Sequence, residues 1–322
     1  MEKYITGFFM TWGNFFSIPC PCKRWDSKYT SLMLGFLPLI GLLIGIIWAV
    51  LYYALVTLGF PFLVVAFFVT LIPLILCGFM HMDGFMDVCD AIMSRRDLAE
   101  RQRILKDSNT GAFAVISVIF MILGYFCFLS TAISGGVDFA NMVMIVVVSR
   151  AVAALHVLIC KPMQTSQYTV MQEEVAEEAE PIEGTDEPVE TETGYASCAA
   201  VCENPQPIEV SGEMPAAGEV DPRIESGEFY AKAEPMPVEE PKKTTRKEGI
   251  ILLCIILAII TVFELIMSMY VVATIFVIAL TALGTLIPIQ RAKKNLAGMN
   301  GDIAGYGIVW GELVGAFALV LC

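Results

Sequence analysis

The sequence predicts an all-α, polytopic integral membrane protein: a helical bundle of about seven transmembrane helices with a long disordered acidic cytoplasmic loop. Three observations carry this prediction. Of 322 residues, 57% are hydrophobic, and the mean hydropathy of +0.70 lies well above that of a soluble domain. Apolar stretches of about 18 residues or more, long enough to cross a bilayer, recur along the chain. Between the fourth and the fifth, residues 170–241 contain 20 Asp or Glu against only Arg223 and Lys232.

Residues 1–31 place Phe8, Phe9, Trp12, Phe15, Phe16 and Trp25 among prolines and basic residues, the mixture of an interfacial segment rather than a span. Lys3 is the only basic residue before Phe8 and no small-residue cleavage site follows, so no signal peptide is expected. The spans Leu34–Leu55, Phe60–Met80, Ala112–Ile133 and Phe139–Cys160 complete an N-terminal membrane part, residues 1–169. Residues 170–248 form the acidic linker. A C-terminal membrane part, residues 249–322, holds Ile250–Met267, Tyr270–Ile289 and Ile303–Leu321. Met269–Tyr270 is a weak break. The spans around it read as a tight hairpin, or as one long tilted helix followed by a re-entrant piece.

Charge sets the orientation. Nineteen of the 20 Lys and Arg fall in residues 1–31, 81–111, 161–249 and 290–302, and the connections near Gly59, Gly135 and Ser268 carry none. Positive charge stays cytoplasmic, which puts the N-terminus inside and the C-terminus outside. Polar chemistry then collects on one face, favouring an enzyme fed from the cytosol over a transport pathway. The net charge of −13 conceals a balance of −18 in residues 170–241 and +5 elsewhere. The acidic stretch has too little apolar surface to offset its chain entropy and reads as disordered, either a tolerated insertion or an acidic shield over basic loops. Ten cysteines make no framework. Those in spans, Cys77 among them, read as small apolar residues, and cytosolic thiols such as Cys20 and Cys22 stay reduced.

Chemistry concentrates where the second span ends, at His81-Met82-Asp83-Gly84-Phe85-Met86-Asp87-Val88-Cys89-Asp90. At about 100° per residue, Asp83, Asp87 and Asp90 fall within roughly 60° of one another on a helix. The intervening residues are apolar, so this is not a generally polar surface. Aligned carboxylates at a membrane boundary repel one another and cost desolvation unless a cation neutralises them. Oxygen ligands suit a hard ion, and Mg²⁺ shared with substrate phosphates is the usual case. Arg95, Arg96 and Lys106 follow, cations that can clamp phosphate oxygens. Arg101 and Arg103 read as positive-inside anchors. Asp107, Ser108 and Gly111 stand at the mouth of the third span, where a helix N-terminus offers free N–H groups to an anion. A second glycine-containing loop, with Lys294 and Asp302, leads into the last span. Arg150 is the one cation well inside a span, a functional candidate by default, or else an ion pair with Asp90 or Glu312.

Taken in order, these residues resemble the cobalamin synthase family, the adenosylcobinamide-GDP ribazoletransferases. The matching pieces are Phe15-Phe16-Ser17-Ile18-Pro19-Cys20-Pro21, Phe36-Leu37-Pro38-Leu39-Ile40-Gly41, Gly78 through Gly84 with Asp87 and Asp90, Lys106-Asp107-Ser108-Asn109-Thr110-Gly111, Ser149-Arg150 with Ala153-Ala154-Leu155, and Gly301-Asp302 with Gly305 and Gly311-Glu312-Leu313. The chain departs from the family in two places. Met163–Tyr168 and the acidic stretch stand where the family carries an Ala-Arg and a Gly-Leu-Gly stretch, and Ala297-Gly298 stands where it has paired glycines.

The resemblance implies a transferase that joins adenosylcobinamide-GDP to α-ribazole, or to its 5′-phosphate, and releases GMP, the final step of nucleotide loop assembly in cobalamin (vitamin B12) biosynthesis. Asp83, Asp87 and Asp90 would hold Mg²⁺, the expected cofactor, and one of them or His81 would accept the hydroxyl proton. Gly84, Arg95, Arg96, Lys106, Asp107, Ser108, Gly111, Arg150, Lys294 and Asp302 would contact substrate. The implied setting is a prokaryotic cell (inner) membrane with the active site facing the cytoplasm. The expected partners are the two substrates, the lipid bilayer, and a homo-oligomer or other cobalamin-assembly enzymes, with no nucleic acid. The acidic spacing also resembles the CDP-alcohol phosphotransferases, whose pattern is Asp-Gly-x2-Ala-Arg. Asp87 stands where that Ala would be, so the likeness is one of chemistry. A cation-binding transporter or scaffold is the alternative of another class, against which stands the lack of an internal repeat.

Overall fold

The computed structural model describes residues 2–163, 245–268 and 270–322, all of them within one compact unit. The expected disordered loop lies outside the described residues, except that its last positions, Arg246–Glu248, begin a helix.

The chain opens with α1, Glu2–Phe15, about 21 Å long at 1.5 Å per residue and so too short to cross a bilayer of about 30 Å. A 3-10 turn at Ser27–Tyr29, capped by the Asp26 carboxylate, leads into α2, Thr30–Gly35. Next come α3 (Leu37–Thr57), α4 (Phe62–Leu76), α5 (Met80–Met93), α6 (Leu98–Ile104), α7 (Ala112–Gly135) and α8 (Phe139–Ile159). After the undescribed residues follow α9 (Arg246–Met267), α10 (Val271–Leu296) and α11 (Gly301–Leu321). Among the described residues, α3, α7, α8, α9, α10 and α11 are each long and apolar enough to cross a membrane, so the chain is a multi-pass membrane bundle. At its centre α8 packs against α3, α9, α10 and α11, with most of its residues buried.

The structure departs from the sequence reading in three places. The first span starts at Leu37 rather than Leu34, because Pro38 sets the opening turn of α3 and the chain bends at Phe36. The second span does not run through to Met80. It breaks at Cys77–Phe79, where Gly78 (φ 61°) and Phe79 (φ 60°) are left-handed, and α5 leaves α4 at 87°. Hydrophobicity continues across this break, so composition alone could not mark it. Pro73 inside α4 removes the N–H that would bond the Val69 carbonyl. Trp48 of α3 fills the gap, its Nε1–H donating to Val69 O at 2.7 Å, which satisfies a carbonyl that lipid could not. Finally, α9 and α10 do not pair as a hairpin along their lengths. Helix α9 lies on α2 and α8, while α10 lies on α11 and α8. Helix α10 also continues seven residues past Ile289 into a polar last turn with Lys293 and Lys294.

Candidate active site

Helix α5 packs along the first halves of two spanning helices, α7 and α11. Residues near its middle meet Asp302, and its last turn meets Gly111 and Ala114. The three carboxylates share a face, as the spacing predicts, but their surroundings differ. Asp83 is exposed, Asp87 half-buried and Asp90 buried. Both Asp90 oxygens are engaged: Oδ2 accepts the Gly111 N–H at 2.6 Å and Oδ1 the Ala114 N–H at 2.9 Å. Asp90 therefore satisfies the first free donors of α7 from a neighbouring helix. Gly111, predicted to meet substrate, makes this approach possible, since a Cβ there would lie 2.6 Å from an Asp90 oxygen.

Asp302 completes the acidic group. Asn300 caps α11, accepting the Ile303 N–H at 2.9 Å, and its amide donates to Asp302 Oδ2 at 2.7 Å. Gly84 brings α5 against this turn: a Cβ on it would stand 2.8 Å from Asp302 Cα. Burial, with the charges of Asp83, Asp302 and Asp90, pushes the Asp87 pKa up to about 7. The sequence placed Asp302 in a separate substrate loop, and only the tertiary fold joins it to the acid helix. Among the described residues, no three His, Cys, Asp or Glu side chains form a ready metal cage. Crowded, partly desolvated carboxylates nevertheless fit a divalent cation of the Mg²⁺ type, which commonly takes one or two carboxylates and completes its shell with water and substrate phosphate.

Basic residues lie in the loops and short helix that follow α5 and at the end of α10. Helix α6 docks on the end of α10, where Arg101 donates to Asn295 Oδ1 at 3.1 Å and Gln102 to Leu296 O at 2.8 Å. Arg101 thus ties α6 to the end of α10, beyond the anchoring role read from the sequence. Arg95, Arg96, Lys106, Ser108 and Lys294 are exposed. The N–H and amide of Asn109 hold the Asp107 carboxyl below its usual range.

Arg150 lies apart from these residues, fully buried. Its Nη1 donates to Glu312 Oε1 at 2.6 Å and to Val146 O at 3.1 Å, and its Nη2 meets Cys77 Sγ at 2.9 Å. Of the two ion pairs considered from sequence, Glu312 is the partner found. Cys77, read as a small apolar residue, is a hydrogen-bond acceptor that fastens the α4–α5 break to α8. Its place beside Gly78, at the end of an apolar run, was the available signal. His81 projects from the face of α5 opposite the carboxylates and stacks on Phe15 with ring centroids 6.4 Å apart. Burial, aided by the Arg150 charge, pushes its pKa down to about 3, so the ring is neutral, and its Nε2 has no partner.

Known proteins share this arrangement of sequence along nearly the whole chain. The adenosylcobinamide-GDP ribazoletransferase of Clostridium perfringens strain 13 is 30% identical over 321 residues, 99% of each chain. That of Clostridium botulinum strain Alaska E43 is 25% identical over 321 residues, 100% of this chain and 99% of its own. The enzyme of the same name from Geobacillus kaustophilus is 34% identical over 156 residues, 48% of this chain and 60% of its own. No solved structure matches the chain significantly. The cobalamin-5-phosphate synthase family matches residues 7–184 and 230–320, leaving out only positions inside the acidic stretch and a few at either end. The chain therefore belongs to the cobalamin-5-phosphate synthase family.

Proposed function

We propose that this protein joins adenosylcobinamide-GDP to α-ribazole, or to α-ribazole 5′-phosphate, with release of GMP. The observation that carries the reading is the full-length similarity to relatives bearing that activity in their names, falling on a chain whose acid helix and basic loops meet at one end of the bundle. In the reaction a ribazole hydroxyl attacks the pyrophosphate phosphorus nearer cobinamide. The new P–O bond forms as the bond to GMP breaks, and the hydroxyl proton passes to a carboxylate. Transfer of this kind depends on positioning and charge neutralisation more than on covalent protein chemistry.

Asp83 and Asp87, with Asp302 beside them, would hold Mg²⁺, which when bound supplies positive charge to the pyrophosphate oxygens. Asp90 keeps the acid helix fixed to α7. Arg95, Arg96, Lys106 and Lys294 would draw the anionic substrate to this face and grip its phosphates, and Ser108 would add a hydroxyl donor. Asp107 would act by orienting Arg103, which it approaches to 3.9 Å. Gly84 lets α5 close on the turn that carries Asp302, which brings that carboxylate to the acid helix. Arg150 acts at a distance, holding the turn from which α5 departs. The site would face the cytoplasm of a prokaryotic cell membrane, the orientation that the positive-inside distribution favours.

Incubating membranes that carry the protein with adenosylcobinamide-GDP, α-ribazole and Mg²⁺ tests the reading. GMP release with formation of adenosylcobalamin is the expected result. No GMP above control membranes would reject it.

A further inference from the structure

His81 looks into a cavity of about 120 Å³ on the side of α5 away from Asp83. Its wall includes Phe15, Leu37, Met80, Ala154 and Ile308, and Asp302 closes one side. The cavity is mostly apolar, yet the His81 Nε2 is buried and without a partner, while the whole residue is only 8% exposed. A buried polar atom of this kind is normally satisfied. An apolar void of about 150 Å³ holds one benzene ring, so this cavity takes one aromatic ring and leaves any second ring at its mouth. An anion is disfavoured here, because no Lys or Arg lines the wall and Asp302 does. A neutral aromatic ring bearing a hydrogen-bond acceptor fits this lining, which also carries the Asn14 amide. Asp302 belongs both to this wall and to the acidic group, so the cavity and the acidic group share one residue.

We propose that this cavity receives the heteroaromatic base of the ribazole substrate, with the His81 Nε2–H donating to the unsubstituted ring nitrogen. His81 is then a specificity residue of the reaction rather than its general base. The inference rests on the transferase reading above.

Two ribazoles test it: α-ribazole itself, and an analogue in which the free ring nitrogen is replaced by C–H. In the unaltered protein the analogue should have a KM raised roughly tenfold or more, the worth of one hydrogen bond. His81→Leu should raise the KM for α-ribazole by a similar factor and abolish the discrimination between the two. The KM for adenosylcobinamide-GDP should stay within about twofold. His81→Gln, which keeps an N–H donor, should recover part of the discrimination. Ala154→Leu, which fills the cavity, should weaken both ribazoles alike without affecting adenosylcobinamide-GDP. A role confined to packing predicts equal losses for all substrates. If His81→Leu turns over substrate but retains the discrimination, the cavity proposal is wrong and the transferase reading stands. Absence of GMP release from the unaltered protein with every ribazole overturns both.

Discussion

Asp87 is the residue where burial and charge conflict most sharply. Its pKa of about 7 means that it is largely protonated, and useless as a cation ligand, below neutrality. At low Mg²⁺ turnover should fall as pH drops through about 7. Raising Mg²⁺ should move that midpoint downward, because the cation competes with the proton for the same oxygens. A pH–rate profile flat from 6 to 8 at both Mg²⁺ concentrations would contradict this. The same shift has a stability sign. The folded state binds this proton more tightly than the unfolded chain does, so the contribution of Asp87 is most favourable below the ordinary carboxylate range and declines as pH rises towards 7. Substitution should separate the three aspartates of α5. Asp83→Asn and Asp87→Asn should cut turnover by orders of magnitude and leave the protein inserted. Asp90→Asn should also lower thermal stability, by about 1–2 kcal/mol, since an amide turns an N–H₂ towards one of the two backbone donors. Equal melting temperatures for all three variants would refute the distinction. Sequence spacing placed these carboxylates on one face because helical periodicity suffices for that. It could not separate Asp90 from the others, because the N–H groups that Asp90 serves begin 21 residues later.

At the scale of elements, the helices were legible where apolar runs were bounded by charge, and illegible where the chain turns without a change in hydropathy. The break at Cys77–Phe79 is the clearest instance, since its cause is backbone geometry and a buried guanidinium. The end of α10 is another: charges mark where apolar surface stops, while the helix itself ends at Ala297, whose φ of 56° is left-handed. This is one of the positions where the family pattern has glycine. Ala in that conformation carries a steric cost that Gly escapes, partly offset by the greater freedom of Gly in the unfolded chain. Ala297→Gly should therefore stabilise the protein by about 0.5–1 kcal/mol, read as a higher melting temperature in detergent. A lower one would show that the cap is unstrained.

For the whole molecule, the buried Arg150–Glu312 pair, with side chains 1% and 7% exposed, links α8 and α11, and Arg150 also holds Cys77 at the end of α4. Glu312→Gln strands the guanidinium and should cost about 3–5 kcal/mol, whereas Arg150→Met with Glu312→Leu together should cost much less, because neither charge is then left alone. Thermal unfolding of the single and double variants decides this, and equal losses would argue against it. The acidic stretch lends itself to a coarser experiment. Helices α8 and α9 are packed neighbours, and loop closure depends weakly on length, about 0.6 kcal/mol per doubling. Replacing residues 172–240 by about ten Gly and Ser should preserve insertion and most activity. If the stretch shields the basic loops instead, the deletion should change the KM at low salt, and the change should shrink as salt rises. The class of molecule was legible because lipid enforces long apolar helices, and the assembly of the site was not, because nothing local pairs Gly84 with Asp302. That pairing has a consequence for how the protein is made. Helix α11 leaves the ribosome after every other helix described here, more than 200 residues behind the acid helix. Until it inserts, α5 has reached the membrane with its carboxylates but without the turn that closes over them. On the proposed assignment the nascent chain gains its last cation ligand, Asp302, only when α11 docks.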